Sequence, residues 1–150
     1  MRTWFESKVT HEKTLENGMQ KKVTEPYLLE ALSWTETEAR TIEELKPYIS
    51  GEFTITDIKR YKISELFFSE DGDRYFKAKI QFITLDEKNG TEKKISTYML
   101  AQANNIDQAQ EVIKKGMKGT QANYVIAEVK ETKIMDVFPY NATCDEKSDN

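Results

Sequence analysis

The chain has very few of the residues that most catalytic and metal sites are built from. Its 150 residues include one cysteine, Cys144, and one histidine, His11. A single cysteine cannot form an intrachain disulfide, and this pair cannot complete the ligand set of a structural zinc site. A nucleophilic triad would need His11 beside a nucleophile, but the sequence places it just before a hairpin turn. We therefore predict that His11 is an exposed surface residue.

Other absences narrow the class of protein further. No apolar run approaches the length of a transmembrane helix, and the first residues lack the apolar core of a secretory signal, so we expect a cytoplasmic protein. Neither familiar glycine-rich phosphate loop is present, and no cofactor is predicted. The net charge of -4 does not provide the positive field of a strong duplex-DNA binder.

The residues that are present predict a folded, well-solvated domain. Hydrophobic residues make up 38% of the chain and aromatic residues 11%, which is enough large apolar surface to form a core. Charged residues make up 32%. These proportions exclude global disorder.

An internal repeat is the strongest pattern in the sequence. Residues 57–67 align without a gap with residues 128–138, with acidic, lysine and apolar positions in the same order. Other matching segments at nearly the same spacing are Trp4–Val9 with Tyr75–Ile80, Asn17–Gly18 with Asn89–Gly90, Lys21–Thr24 with Lys93–Ser96, and Ala39 and Ile42 with Ala109 and Val112. We therefore predict two tandem repeats, 1–70 and 71–140, and a polar, disordered tail, 141–150.

Each repeat is predicted to have the order β-β-α-β. Alternation of apolar and polar residues predicts the strands, and an Asn-Gly pair in each repeat predicts a hairpin with a type I′ turn. The last extended stretch is predicted to bend near Arg60-Tyr61 and near Glu131-Thr132. The fold class is α+β, with a largely antiparallel sheet, one helix per repeat and the repeats packed as a pseudo-twofold pair. Whether they share one sheet stays open.

The helix boundaries follow from capping signals. Thr35 and Glu38 have the spacing of a capping box in the first repeat, and Asn105 to Gln108 forms the cap in the second. Ala39, Ile42 and Leu45 recur at helical spacing in the first helix. Ala109, Val112 and Ile113 form the apolar stripe of the second helix.

Two acid-x-lysine strands are the only material for catalysis. Asp57 and Lys59 share one strand face, as do Glu128 and Lys130. Such a strand is one part of metal-dependent nuclease sites, but no second acid stands at a convincing spacing. The alternative is a cross-strand salt-bridge ladder. We assign no catalytic residue and no metal ligand.

Lysines provide a candidate nucleic-acid surface. The set consists of pairs after each hairpin turn and one lysine on each closing strand: Lys21, Lys22, Lys93, Lys94, Lys59 and Lys130. Exposed Trp4, Tyr75 or Tyr61 would then stack on unpaired bases. The alternative is that these lysines alternate outward on solvated strands and that Trp4 and Tyr75 belong to the core.

Two apolar runs leave a further choice open. Tyr27-Leu28-Leu29 and Tyr98-Met99-Leu100 place apolar groups on both faces of a strand. Burial on both sides explains this pattern, and so does a surface for a protein partner or a second copy of the chain.

Four segments resemble a known family. Trp4–Val9, Lys21–Tyr27, Tyr48–Phe53 and Ile134–Phe138 look like a family of uncharacterised small proteins from gut anaerobic bacteria, their mobile elements and phages. The resemblance extends to about Tyr140 and implies no activity or site residue, because the family is a domain of unknown function. It implies a phage or mobile-element role.

These observations rank three functions. The first is a non-enzymatic binding protein that holds a protein partner, assembles, or sequesters a host factor or nucleotide, without membrane contact. The second is a nucleic-acid-binding accessory protein, for single-stranded DNA. The third is a metal-dependent nuclease.

Overall fold

The computed structural model describes residues 3–49 and 51–140. Its elements are β1 (Thr3–Thr14), β2 (Gln20–Ala31), α1 (Trp34–Leu45), β3 (Phe53–Arg60), β4 (Glu65–Phe67), β5 (Arg74–Asp86), β6 (Thr91–Ala103), α2 (Ile106–Gly116), β7 (Asn123–Glu131) and β8 (Val137–Phe138). Contacts divide the chain into two units. Of the described residues, those up to Tyr61 and those from Ile134 to Tyr140 form unit 1, and Lys62–Lys133 form unit 2. The predicted α+β class is confirmed.

Unit 1 is a four-stranded sheet with α1 packed on one face. The strand order is β3-β1-β2-β8, and all pairs are antiparallel except β2 with β8. Period-two alternation directs Phe5, Ser7 and Val9 of β1 toward the helix, where all three are buried. Val9 and Leu45 belong to one cluster that forms the core between sheet and helix.

Unit 2 repeats this architecture with a larger apolar core. Its strand order is β4-β6-β5-β7, and only β4 with β6 is parallel. The core contains Phe76, Ile80 and Ile113, and Phe67 of β4 packs against it. A Cβ added at Gly116 would lie 2.4 Å from the Phe67 ring, so glycine at this position lets β4 and α2 approach each other.

The two sheets share the same irregularity. The register between β1 and β3 shifts between Lys8 and Val9, which leaves Thr56 as an extra residue. The register between β5 and β7 shifts between Lys79 and Ile80. Such bulges bend a strand and increase its twist. The bulges therefore give both units a common frame in which strand positions can be compared.

The fourth strand of each sheet does not come from the adjacent part of the chain. β4 follows β3 in sequence but pairs with β6 of unit 2, and β8 follows β7 but pairs with β2 of unit 1. The predicted breaks in the closing strands are confirmed, since β3 ends at Arg60 and β7 ends at Glu131. The predicted repeats 1–70 and 71–140 describe copied sequence, which these contacts do not test. That prediction and the pseudo-twofold packing stay predictions.

Both predicted hairpins are present, but the predicted turn type is wrong. Their loops are Leu15–Met19 and Glu87–Gly90, which are longer than the two-residue loop of a type I′ turn. Gly18 has φ 84° and Gly90 has φ 66°, and no other residue type has positive φ in the described part of the chain. A single glycine therefore supplies the left-handed residue that each loop needs.

The start of α1 also differs from the prediction. Ser33, not Thr35, is the N-cap: its hydroxyl accepts a hydrogen bond from the Glu36 backbone N–H at 3.1 Å. The Glu36 carboxylate accepts one from the backbone N–H of Leu32 at 2.9 Å, so the returning bond of the capping box goes to the residue before the N-cap. Ser33 and Glu36 have the same sequence spacing as Thr35 and Glu38, so spacing alone could not choose between the two frames.

The helix faces follow from these starting points. In α1 the buried residues are Thr37, Thr41 and Leu45, whereas Ala39 and Ile42 are exposed, so an apolar face at those two positions is wrong. In α2 the predicted cap is confirmed, because the Asn105 side chain accepts a hydrogen bond from the Gln108 backbone N–H at 2.8 Å. The predicted stripe of α2 is confirmed as well: Ala109 and Ile113 are buried and Val112 packs against the core.

The two apolar runs are explained mainly by burial. Tyr27, Leu28, Leu29, Met99 and Leu100 are all buried, and only Tyr98 is exposed, at 38%. Neither described helix is long and apolar enough to cross a membrane. The predicted tail 141–150, with Cys144, lies outside the described residues.

Candidate functional site

The hairpin lysines lie at one end of each sheet. Lys21 is opposite Lys13 and Lys22 is opposite Glu12 in the pairing of β2 with β1. In unit 2, Lys93 is opposite Thr84 and Lys94 is opposite Ile83. All four predicted hairpin lysines are exposed.

The lysines of the closing strands lie elsewhere on the same sheets. Lys59 is opposite Glu6, and its Nζ lies 3.6 Å from the Glu6 Oε1 atom. Glu6 and the Glu12 partner of Lys22 are separated by about 20 Å of extended strand. Lys130 is opposite Lys77, at the corresponding distance from Lys94 along β5. Within each unit the structure therefore does not bring the predicted lysines into one patch, and nucleic-acid binding stays a prediction.

The aromatic residues proposed for base stacking are not all exposed. Tyr75 is buried, so its role as an exposed platform is wrong, while Trp4 and Tyr61 are half-buried. Burial, followed by the charge of Glu6, raises the pKa of Tyr61 to about 12. A tyrosine in such a setting is part of the fold of unit 1 and offers little free ring face.

The acids of the two acid-x-lysine strands lie opposite lysines of the neighbouring strands. Asp57 is the cross-strand partner of Lys8, and Glu128 is the cross-strand partner of Lys79. The described residues contain no group of three or more His, Cys, Asp or Glu side chains that could hold a metal ion. The register favours the salt-bridge alternative for these four residues.

His11 is not the exposed histidine that the sequence predicted. Its Nε2 atom lies 2.6 Å from Oε1 of Glu25, and the two side chains are only 11% and 15% exposed. The Nζ atom of Lys13 lies 3.9 Å from the second carboxylate oxygen of Glu25. Position 11 continues the inward alternation of Phe5, Ser7 and Val9, which explains why the imidazole points toward the face that carries α1.

Tyr27 stands next to this pair on the same face of β2. Burial, followed by the negative charges of Glu25 and Asp136, raises the pKa of Tyr27 to about 12. Its ring stacks on Phe138 of β8 with 6.3 Å between centroids. The phenol of Tyr27 is therefore uncharged at neutral pH, next to the His11–Glu25 pair.

His11 and Lys13 also line a groove of about 970 Å³ in unit 1. This groove is lined by Thr10, His11, Glu12, Lys13, Thr14, Gln20, Lys22, Tyr48, Ile49, Gly51, Glu52, Thr54 and Thr56. Its size is at the upper end of the range of small-ligand sites. Tyr48 is 76% exposed at its margin, and Glu52 is also exposed.

Unit 2 has uncharged side chains at the positions where unit 1 has His11 and Glu25. Phe82 of β5 is two positions beyond its register shift, as His11 is in β1, and packs against Tyr124 with 6.4 Å between ring centroids. Thr97 is opposite Ile80 as Glu25 is opposite Val9. Unit 2 thus shows that the same backbone frame is filled without charged groups.

That comparison singles out the His11–Glu25 pair. Burying charged or polar groups costs free energy that an apolar filling avoids. A pair retained despite this cost is a functional candidate. Sequence reasoning missed it, although the repeat alignment carries the signal, because His11 aligns with Phe82 at an inward position.

Fold and site together define an α+β protein whose described residues form two four-stranded sheets, with a polar groove in the first unit. The chain belongs to a family described as "Domain of unknown function (DUF4494)", whose model matches residues 3–140. No curated protein matches the sequence. The resemblance to an uncharacterised family is thereby confirmed, while the gut-anaerobe and phage source stays a prediction.

Proposed function

We propose that this chain is a non-enzymatic binding protein and that the groove of unit 1 holds its ligand. The observation that carries the proposal is the His11–Glu25 contact of 2.6 Å, kept largely buried where unit 2 uses an aromatic side chain. A functional demand on the groove accounts for a polar pair at this position. The corresponding part of unit 2 has no such demand and contributes to the core.

The neighbours of His11 favour binding over catalysis. Its Nε2 atom faces the Glu25 carboxylate at 2.6 Å, and its Nδ1 atom lies 3.4 Å from the backbone carbonyl oxygen of Glu12. Both ring nitrogens therefore have oxygen atoms of the protein as neighbours. The imidazole orients Glu25, and the carboxylate of Glu25 is in turn shared with Lys13. A general base would instead be directed at a nucleophile.

The setting of the groove supports the same function. Its floor consists of paired strands, which hold the lining side chains in fixed positions. Tyr48 supplies a large, mostly exposed ring at the margin. Rigid polar groups with one exposed aromatic side chain are a combination that recognises a ligand with both polar and apolar parts.

We further propose a location, a target and an origin for this protein. The chain acts in the cytoplasm, and the phage or mobile-element role implied by the family resemblance makes a host factor its target. The two halves arose by duplication, a view supported by the matching register shifts of β1 and β5. After duplication, unit 1 kept or acquired the ligand groove.

The experiment uses amide chemical shifts of the full chain with three classes of probe. A pool of random decapeptides, a mixture of short oligodeoxynucleotides and a set of oligosaccharides are added separately. We expect one class to shift amides of Glu12, Lys13 and Glu52, which all line the groove. The shifts should disappear in Tyr48→Ala and in Glu52→Lys.

The matched control is Glu92→Lys, which makes the same charge change at an exposed acid of β6 in unit 2. It should leave the groove shifts unchanged. The proposal is wrong when none of the probes shifts the groove amides, or when the shifts map to Lys93 and Lys94 of unit 2 instead.

A further inference from the structure

We infer that the ligand of the groove is an extended polypeptide segment, which adds as a strand to the open edge of β1 at Glu12–Thr14. This inference rests on the proposed function and names the class of partner. Strand addition supplies main-chain hydrogen bonds from the edge, and pockets on alternate sides read the side chains.

The edge is created where β3 begins. Phe53, the first residue of β3, is opposite His11, whereas β2 pairs with β1 as far as Thr14. Glu12–Thr14 therefore have a neighbour on one side only among the described strands. Gly51, with φ 92°, lies just before β3 in the connection from α1. Only glycine adopts this conformation freely, so the sequence fixes where the connection turns.

The groove is wrapped around this edge. His11 and Lys13 point to the face that carries α1, and Glu12 and Thr14 point to the opposite face, because side chains alternate along a strand. All four line the same groove. Because residues of both faces line one cavity, the cavity reaches around the edge as well as over the sheet face that carries Lys22. That edge presents backbone N–H and C=O groups to the ligand.

The charges in the groove suit a polypeptide better than a polyanion. Lys13 and Lys22 are matched by Glu12 and Glu52 in the lining, and Glu25 adds a further carboxylate behind His11. Three carboxylates would repel a phosphate backbone. A peptide carries donors, acceptors and both signs of charge, and can satisfy such a lining.

Other edges of the same sheet are less suited to strand addition. The outer edge of β3 contains the bulge at Thr56 and then the charged residues Asp57, Lys59 and Arg60. A bulge is a usual means by which proteins prevent unwanted pairing at an edge, and it is the bulge that distinguishes the β3 edge, because Glu12–Thr14 also carries charged residues. The Glu12–Thr14 edge lies beyond this protected stretch, so pairing is directed to the groove.

The test is a backbone N-methylation scan of the decapeptide selected on the full chain. Each N-methyl group removes one donor without changing the side chains. Because successive N–H groups of a strand point to opposite sides, we expect a loss of affinity of about tenfold or more at alternate residues and little change between them. Such a period-two pattern over at least three residues supports strand addition.

Three outcomes would overturn the inference. Affinity that does not depend on N-methylation means that only side chains bind. Groove shifts with oligonucleotides or oligosaccharides but not with peptides refute the partner class and leave the proposed function standing, whereas no shifts with any probe refute both. Concentration-dependent shifts of Glu12–Thr14 without added peptide, together with dimers in sedimentation, would assign the edge to a second copy of the chain.

Discussion

Two hydroxyl groups meet in the core of unit 1. Oγ1 of Thr41 lies 3.1 Å from Oγ of Ser7 and 2.7 Å from the carbonyl oxygen of Thr37, and the three residues are fully buried. Counting from the two N-caps, Ser33 and Asn105, places Ala109 and Ile113 of α2 at the positions of Thr37 and Thr41, which corrects the alignment of Ala39 with Ala109 made from sequence. Ala78 is at the position of Ser7, and all three residues of unit 2 are also buried. The same frame thus accepts a hydrogen-bonded core and an apolar core.

We predict that Thr41→Val destabilises unit 1 by about 1–3 kcal/mol, because it leaves the buried Ser7 hydroxyl without its partner. The double variant Ser7→Ala with Thr41→Ile copies the unit 2 solution. It should recover most of that loss, since no polar group is then left unpaired. Urea unfolding of wild type, the single variants Ser7→Ala and Thr41→Ile, and the double variant measures the coupling. Strictly additive effects would contradict the prediction.

A second prediction at this scale concerns alkaline pH. The pKa of Tyr27 is raised from 10.0 in the unfolded chain to about 12 in the fold. Its contribution to stability is therefore complete below pH 10 and is lost as the pH rises toward 12. Thermal melts between pH 9 and pH 11.5 should show a smaller loss of stability in Tyr27→Phe than in wild type.

The control for this prediction is Tyr48→Phe. Tyr48 is 76% exposed, so removing its hydroxyl should leave the alkaline loss as it is in wild type. If the melting temperature falls equally with pH in wild type and in Tyr27→Phe, burial of Tyr27 does not contribute to the pH dependence of stability.

At the residue scale, the sequence analysis predicted neither the direction nor the partner of His11. The alternation of β1 directs position 11 inward, although His11 was predicted to be exposed, and only the register of β2 brings Glu25 to that histidine. The partner lies 14 residues away across a hairpin. A contact of this kind depends on where the hairpin turns, and the turn type was the part of the hairpin that was predicted wrongly.

At the scale of elements, α1 shows how two equivalent signals compete. Ser33 with Glu36 and Thr35 with Glu38 both have capping-box spacing, and the structure uses the first pair. We predict that Ser33→Ala destabilises the protein by about 1 kcal/mol. Thr35→Ala should have an effect within about 0.5 kcal/mol, because this residue is exposed and is not the cap. Denaturant midpoints of the two variants decide between the frames.

Elements with a strong local signal were predicted correctly, and elements defined by distant pairing were not. The alternating strands, the apolar stripe of α2 and the breaks after Arg60 and Glu131 follow from short-range pattern. β4 contains three residues and β8 contains two. Each forms a strand because it pairs in parallel with a strand distant in sequence, β4 with β6 and β8 with β2. No local pattern in so few residues specifies that partner.

At the scale of the whole molecule, chain order and spatial grouping differ. Unit 2 is one continuous segment, Lys62–Lys133, but unit 1 needs residues from both ends of the chain. We predict that a fragment of residues 62–133 retains a cooperative thermal transition, because it includes β4. A fragment of residues 71–140 has nearly the same length but lacks β4, so the Phe67 contacts with the core are missing. It should melt at a lower temperature or without cooperativity.

The comparison of these fragments also bears on the predicted repeats. Equal stability of the two fragments, measured by circular dichroism and amide exchange, would mean that β4 contributes little to unit 2. Sequence similarity alone places a boundary near residue 70, since copied segments are recognised by their residues. The contacts around β4 instead place residues 62–67 with unit 2, and this grouping is visible only in three dimensions.

The position of β8 has a consequence for synthesis on the ribosome. Leu28 donates its backbone N–H to the Asp136 carbonyl, and Met135 donates to the Pro26 carbonyl, so among the described residues the β2 edge of unit 1 is paired with residues that follow unit 2 in the chain. Unit 2 is made entirely before those residues leave the exit tunnel. Translation of unit 1 therefore begins before that of unit 2 and is completed after it. Until then, the β2 edge at Leu28 and Leu29 lacks its β8 partner, and an unpaired strand edge is prone to aggregation.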